Sequence, residues 1–140
     1  MRIGIIGCGL IGGKRAASAR GHEIVAVSDI DSARATALAS RYAATVYPEW
    51  RNLFVAGLDA VIVATTHDSL STIALEAVQA GLHVLVEKPA GRSALEVRAV
   101  LDAAEAAKRV VMVGFNHRFH PAVLKAKALV DADELGPLMY

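Results

Sequence analysis

Short apolar runs alternate along the chain with longer segments in which apolar residues return every three or four positions. Arg2–Ile6, Glu23–Ser28, Ala60–Ala64, His83–Val86 and Val110–Val113 have strand length. Arg2–Ile6 and Ala60–Ala64 are apolar without polar alternation, the pattern of a strand buried on both faces. Thr45–Tyr47 reads as a shorter strand, broken by Pro48 ahead of a small helix around Trp50–Phe54. The helical segments carry their own punctuation. Leu10–Arg20 is stopped by Gly21, and Ser32–Tyr42 is capped by Asp31, with Ala35, Leu38 and Ala39 at helical spacing. Asp68 is expected to cap a helix running to Ala80, which Gly81 ends. Ser93-Ala94-Leu95-Glu96 has the spacing of a capping box and opens a helix to Lys108; Pro121–Val130 is the last.

Strands alternating with helices predict βαβ units around a parallel sheet. Six strands in this rhythm suit an α/β fold of the Rossmann type, a doubly wound sheet in the order 3-2-1-4-5-6 with helices on both faces. A ligand crevice is then expected beyond the carboxyl ends of strands one and four, where the winding reverses. Residues 1–135 read as one such domain. Gly136-Pro137 forms a turn, and Leu138–Tyr140 looks like a strand starting, so 136–140 are expected to begin a second domain that the 140-residue chain leaves out.

Composition narrows the function classes. A net charge of +1 with scattered Lys and Arg offers no basic face for nucleic acid. No apolar stretch approaches membrane-span length, and the apolar run at Met1–Ile6 is too short for a signal-peptide core. A single cysteine, Cys8, excludes an internal disulfide and fits a reducing, cytoplasmic compartment. No grouping of residues suggests a metal site.

Candidate chemistry lies at the strand ends. Gly7-Cys8-Gly9-Leu10-Ile11-Gly12 matches G-x-G-x-x-G between a buried strand and a helix, the context its physical role requires. Gly7 makes the tight turn, Gly9 lets backbone approach a pyrophosphate, and Gly12 lets helix and strand pack closely. The pyrophosphate is expected on the free N–H groups at the helix start, at Leu10 and Ile11. Asp29 ends the second strand, 22 residues after Gly7, with Ile30 beside it. A carboxylate there accepts hydrogen bonds from the adenosine ribose hydroxyls and repels the 2′-phosphate of NADP, so NAD is the expected cofactor and NADP the less favoured one. Asp31 competes for the ribose, although capping suits it better. Arg34 could swing to a phosphate or remain a solvated helix residue. Cys8 reads as a space-filling side chain.

Ala64-Thr65-Thr66-His67 leaves the fourth strand, Glu87-Lys88-Pro89 the fifth, and Asn116-His117-Arg118-Phe119 the sixth. The glycine loop, the acid, E-K-P and N-x-R-F in this order resemble the N-terminal domain of the glucose–fructose oxidoreductase/inositol dehydrogenase/MocA family. The flanking runs Ala80-Gly81-Leu82-His83-Val84-Leu85-Val86 and Phe119-His120-Pro121-Ala122 are similar to it as well, so the resemblance covers the whole chain. It implies a hydride transfer between NAD(P) and a hydroxyl or carbonyl of a sugar, polyol or related small molecule. Lys88 would be catalytic, hydrogen-bonding the substrate oxygen and stabilising alkoxide character. Glu87 would hold Lys88 or the nicotinamide ribose, and a cis Lys88–Pro89 bond fits the turn. Thr65, Thr66 and His67 would line the nicotinamide ribose, and Asn116 and Arg118 would approach the nicotinamide end, although Arg118 could equally tie the last helix to the sheet. The family commonly has Pro-Asn at Thr66-His67 and a His at Leu70, so this chain departs from it there.

The proton acceptor that such a reaction needs is, in the family, a histidine in a D-x-x-x-H segment of the second domain, and none follows His120 here. The chain is therefore expected to bind cofactor yet be catalytically incomplete, its substrate and its homo-oligomeric contacts supplied by the other domain. Two other classes are open at this stage. One is a dinucleotide-binding sensor or regulator, against which a lysine at the reacting carbon argues. The other is a methyltransferase using S-adenosylmethionine, against which Ile6 argues, because those enzymes usually place an acid just before the loop.

Overall fold

The computed structural model describes residues 1–137. Its strands β1 (Arg2–Ile6), β2 (Glu23–Ser28), β3 (Thr45–Val46), β4 (Ala60–Val63), β5 (His83–Val86) and β6 (Val111–Val113) form one parallel sheet. The strand order is β3-β2-β1-β4-β5-β6, the doubly wound Rossmann order. The intervening helices are α1 (Leu10–Ser18), α2 (Ser32–Tyr42), α3 (Trp50–Leu53), α4 (Leu70–Gln79) and α5 (Ala94–Ala107). A 3₁₀ turn over Asn116–Phe119, which the sequence pattern did not suggest, leads into α6 (Pro121–Asp131). Leu138–Tyr140, expected to start a strand, lie outside the described residues.

The alternation of side chains along each strand divides the core in two. On one face Ile3 and Ile5 of β1, Val27 of β2 and Ile62 of β4 pack with Ala16 of α1 and Ala35 and Leu38 of α2. On the other, Ile6, Val61 and Val63 pack with Leu53 of α3, Leu70 and Ile73 of α4 and Val100 of α5. At Gly4 a Cβ would lie 2.6 Å from Leu53 Cδ2, so the missing side chain makes room for the Leu53 side chain of α3 against β1. Right-handed crossovers that run outward in opposite directions from β1 and β4 put their helices on opposite faces. That is why the crevice opens between the carboxyl ends of these two strands.

Several boundaries differ from the sequence expectation. Helix α1 stops at Ser18 rather than Arg20, because the Ala19 N–H turns back to the Ala16 carbonyl at 3.2 Å. Gly21, at φ 78°, lies beyond this tightened end. Asp68 does not cap α4. The cap position is Ser69, whose hydroxyl bonds Thr65 Oγ1 at 2.9 Å and the Thr66 carbonyl at 3.0 Å instead of a helix N–H. The capping box at α5 is half formed. Ser93 Oγ accepts the Glu96 N–H, but the Glu96 carboxylate accepts from the Arg92 N–H at 2.8 Å and from the Ser71 hydroxyl at 3.0 Å. Helix α6 buries none of its residues, and Phe115, Phe119, Val123 and Leu124 around it are about half exposed. No helix among the described residues is long and apolar enough to cross a membrane.

Candidate functional site

The glycine loop turns the chain from β1 into α1 under tight steric limits. Gly7 has φ 93°, and a Cβ on it would meet the Ala64 carbonyl oxygen at 2.5 Å, so the loop can run this close to the end of β4 only with glycine. A Cβ at Gly12 would collide with the carbonyl oxygen of Gly7. Gly9 is the opposite case, because nothing stands within 4 Å of where its Cβ would be. Gly9 is also the N-cap of α1 and supplies no capping side chain, and the first turn holds no acid. The first bond into the helix is Gly13 N–H to the Gly9 carbonyl at 2.9 Å, so the N–H groups of Leu10 and Ile11 have no acceptor among the described residues. These donors at the positive end of the helix dipole face open space and suit an anion. Both side chains are exposed, Leu10 more so than Ile11.

Asp29 is fixed to this loop. Its Oδ2 accepts the Cys8 N–H at 2.6 Å and its Oδ1 the Asp31 N–H at 2.8 Å. A carboxylate has about four acceptor positions, so two remain for hydroxyl donors. Asp31, the rival acid, is occupied: it caps α2 through the Ala33 and Arg34 N–H groups and pairs with the Arg34 guanidinium at 3.1 Å. The Cys8 side chain turns inward, with Sγ 3.4 Å from the Ser28 carbonyl, and burial beside Asp29 pushes its thiol up to about 12.

A cleft of about 420 Å³ runs along the carboxyl ends of the strands. Gly7, Gly9, Asp29 and Ile30 line it from one half of the sheet, and Ala64, Thr65 and Thr66 from the other. Ile30 is fully exposed at its rim. Arg34, Pro48 and Trp50 complete the wall beside Asp29. The Arg51 guanidinium stacks 4.2 Å from the Trp50 ring centroid while making bonds of 2.7 and 2.8 Å to Glu76 on α4.

The remaining expected residues are spread more widely. His67 is exposed and does not line the cleft. Beside it the Thr66 hydroxyl holds the Asp68 carboxyl below the usual carboxylate range. Lys88 is exposed in the β5–α5 turn, across a cis Lys88–Pro89 bond, and no ion pair among the described residues involves it. Glu87 does not hold Lys88. It is buried and pairs with the Arg15 guanidinium of α1. Asn116 and Arg118 lie exposed in the 3₁₀ turn and do not reach the cleft wall. Nor does Arg118 tie α6 to the sheet by an ion pair among the described residues.

Sequence reasoning passed over Arg15, Gly114, Ser69 and Trp50. Only Arg15 and Gly114 left a trace: a cation next to the buried Ala16, and a glycine directly after β6. Neither reveals its partner across the sheet.

Residues 1–115 match the model of the oxidoreductase family with an NAD-binding Rossmann fold, the glucose–fructose oxidoreductase/inositol dehydrogenase/MocA family. The chain belongs to this family. As a member it is an NAD-binding Rossmann domain. It is 32% identical to the inositol 2-dehydrogenase of Salmonella typhimurium, over 99% of this chain and 44% of that protein. It is 38% identical to a D-xylose 1-dehydrogenase (NADP(+)) of Haloferax volcanii, again over 99% of this chain and 44% of the relative. Among solved structures, GenD2 from gentamicin A biosynthesis, in complex with NAD, aligns with a TM-score of 0.90 at 28% identity, over 96% of this chain and 40% of that one. The chain thus spans less than half the length of these relatives.

Proposed function

We propose that this chain is the cofactor-holding half of a dehydrogenase that moves hydride between NAD and a carbinol or carbonyl carbon of a sugar or polyol. The observation that carries the reading is the unpartnered N–H groups at the start of α1 next to the Asp29 carboxylate, which lines the cleft with half of its acceptor positions free. Pyrophosphate on Leu10 and Ile11, and adenosine ribose on Asp29, would use both. When bound, NAD supplies the hydride acceptor at its nicotinamide ring.

The protein's own groups do the rest. Asp29 orients the ribose and excludes a 2′-phosphate by charge. Ala64, Thr65 and Thr66 continue the same wall toward the nicotinamide ribose, with His67, Asn116 and Arg118 at the outer end of the site. Lys88 presents an ammonium to the substrate oxygen and favours its alkoxide form. Relatives named for inositol and xylose support a polyhydroxylated substrate. We assign substrate contacts and oligomer contacts to a second domain beginning at 136–140, and the protein to the cytoplasm as a homo-oligomer. The exposed apolar side chains of α6 support such a covering.

Isothermal titration with NADH and NADPH tests the cofactor reading. Tighter binding of NADH is expected. Equal affinities, or a preference for NADPH, would overturn the role given to Asp29.

A further inference from the structure

Arg15 and Glu87 are 72 residues apart in sequence, yet their side chains form an ion pair between α1 and the residue just before Lys88. Both are largely withdrawn from water, at 23% and 11% side-chain exposure. The guanidinium also reaches the Gly114 carbonyl, with Nη2 to O at 3.3 Å. Gly114 leaves room for the pair, since a Cβ there would lie 2.8 Å from both Arg15 Nη2 and Glu87 Oε2. One guanidinium thus joins the helix that begins at the glycine loop to the ends of β5 and β6.

We propose that Arg15 is a positioning residue for Lys88, holding the Glu87 carboxylate so that the neighbouring ammonium stays free for the substrate oxygen. The inference rests on the role given to Lys88 above. A carboxylate next to an ammonium in sequence is its obvious partner. An internal pair between them would neutralise the charge meant for the reacting oxygen and hold it away. A guanidinium binds carboxylate in a fixed planar fork and is less strongly hydrated than ammonium, so it wins Glu87 in a buried place. The other charged groups at the start of α5, Arg92 and Glu96, engage each other at 3.1 Å and leave Lys88 alone.

The test reads Lys88 directly in the 140-residue chain. Limiting acetic anhydride at pH 8 labels amines in proportion to their unprotonated fraction, and peptide mass spectrometry gives the rate at Lys88 relative to the other lysines. Arg15→Gln frees the Glu87 carboxylate and should slow labelling at Lys88 about threefold, because an opposite charge nearby favours the protonated, unreactive amine. Glu87→Gln leaves Arg15 uncompensated and should speed labelling by a similar factor. Arg15→Lys should restore much of the wild-type rate. A merely structural pair would lower the melting temperature of all three variants and leave Lys88 labelling unchanged, which overturns the proposal. Shifts of the same sign in Arg15→Gln and Glu87→Gln overturn it too. Should Arg15→Gln fail to fold, Glu87→Gln decides alone, and no acceleration there is a negative result. Dinucleotide is absent from the assay, so failure here leaves the cofactor reading to its own titration.

Discussion

The Cys8 backbone N–H donates a 2.6 Å hydrogen bond to the Asp29 carboxylate, joining the second residue of the glycine loop to the acid at the end of β2. Asp29 therefore has two tasks, to hold the loop in shape and to offer its free lone pairs to a ribose. The two are separable by substitution. Asp29→Asn keeps a carbonyl oxygen for the Cys8 N–H but removes the charge, so NADH and NADPH should then bind with similar affinity. Asp29→Ala removes both and should weaken NADH binding by about 1–3 kcal/mol. Calorimetric titration of both variants with both cofactors checks this, and an Asn variant that still strongly prefers NADH would refute the charge argument.

Gly9 and Gly12 should fail in opposite ways. Gly9→Val projects into open space, so the melting temperature should barely change while dinucleotide binding is lost. Gly12→Ala drives a methyl into the Gly7 carbonyl and should cost about 1–3 kcal/mol of stability, as overpacking does. Denaturant melts and NADH titrations on the same two proteins separate the cases. A folded Gly9→Val protein with unchanged NADH affinity contradicts the loop's role.

Cys8 should be inert in the native state. With its thiol pushed up to about 12, the reactive thiolate at pH 8 is about one part in 10⁴. Disulfide-exchange reagents should therefore label it only after denaturation. The sign for stability follows from linkage. The folded pKa lies above the unfolded one of 9.0, so the folded state keeps its proton longer. Stability is unaffected by this group below pH 9 and falls as pH rises from there toward 12. Rapid labelling of the native protein at pH 8 would show that the thiol is not buried as described.

Trp50 is the chain's only tryptophan, and it lines the cleft beside Asp29. Its emission should respond to ADP and NAD but not to nicotinamide mononucleotide, whose groups belong at the other end. Trp50→Leu should weaken ADP binding by on the order of 1 kcal/mol, the value of an aromatic contact beyond its buried area. An emission spectrum indifferent to ADP under conditions where calorimetry registers binding would remove Trp50 from the adenosine wall.

Much of this protein was legible in its sequence because the deciding interactions are local. The strands β1, β2 and β5 and the helix α2 fall at their expected bounds. Apolar continuity marks a doubly covered strand, and Asp31 caps α2 through N–H groups only two and three residues away. The glycine loop was equally readable from its spacing, since a Cβ on Gly12 would meet the Gly7 carbonyl five residues back, although the limit on Gly7 comes from the Ala64 carbonyl at the end of β4. Partner choice was not. Adjacency in sequence pairs Glu87 with Lys88, but the fold brings Arg15 to it from 72 residues away, and burial favours the guanidinium. Ser69 rather than Asp68 stands at the α4 cap because Thr65 and Thr66, leaving β4, direct the turn. Trp50 joins the cleft wall through Arg51 and Glu76, a contact between α3 and α4 that no periodicity encodes. Sequence determines which segments form and where backbone must be bare. Which charges meet depends on the packing of distant elements, because a buried ion pair forms with whichever partner the tertiary structure brings within reach.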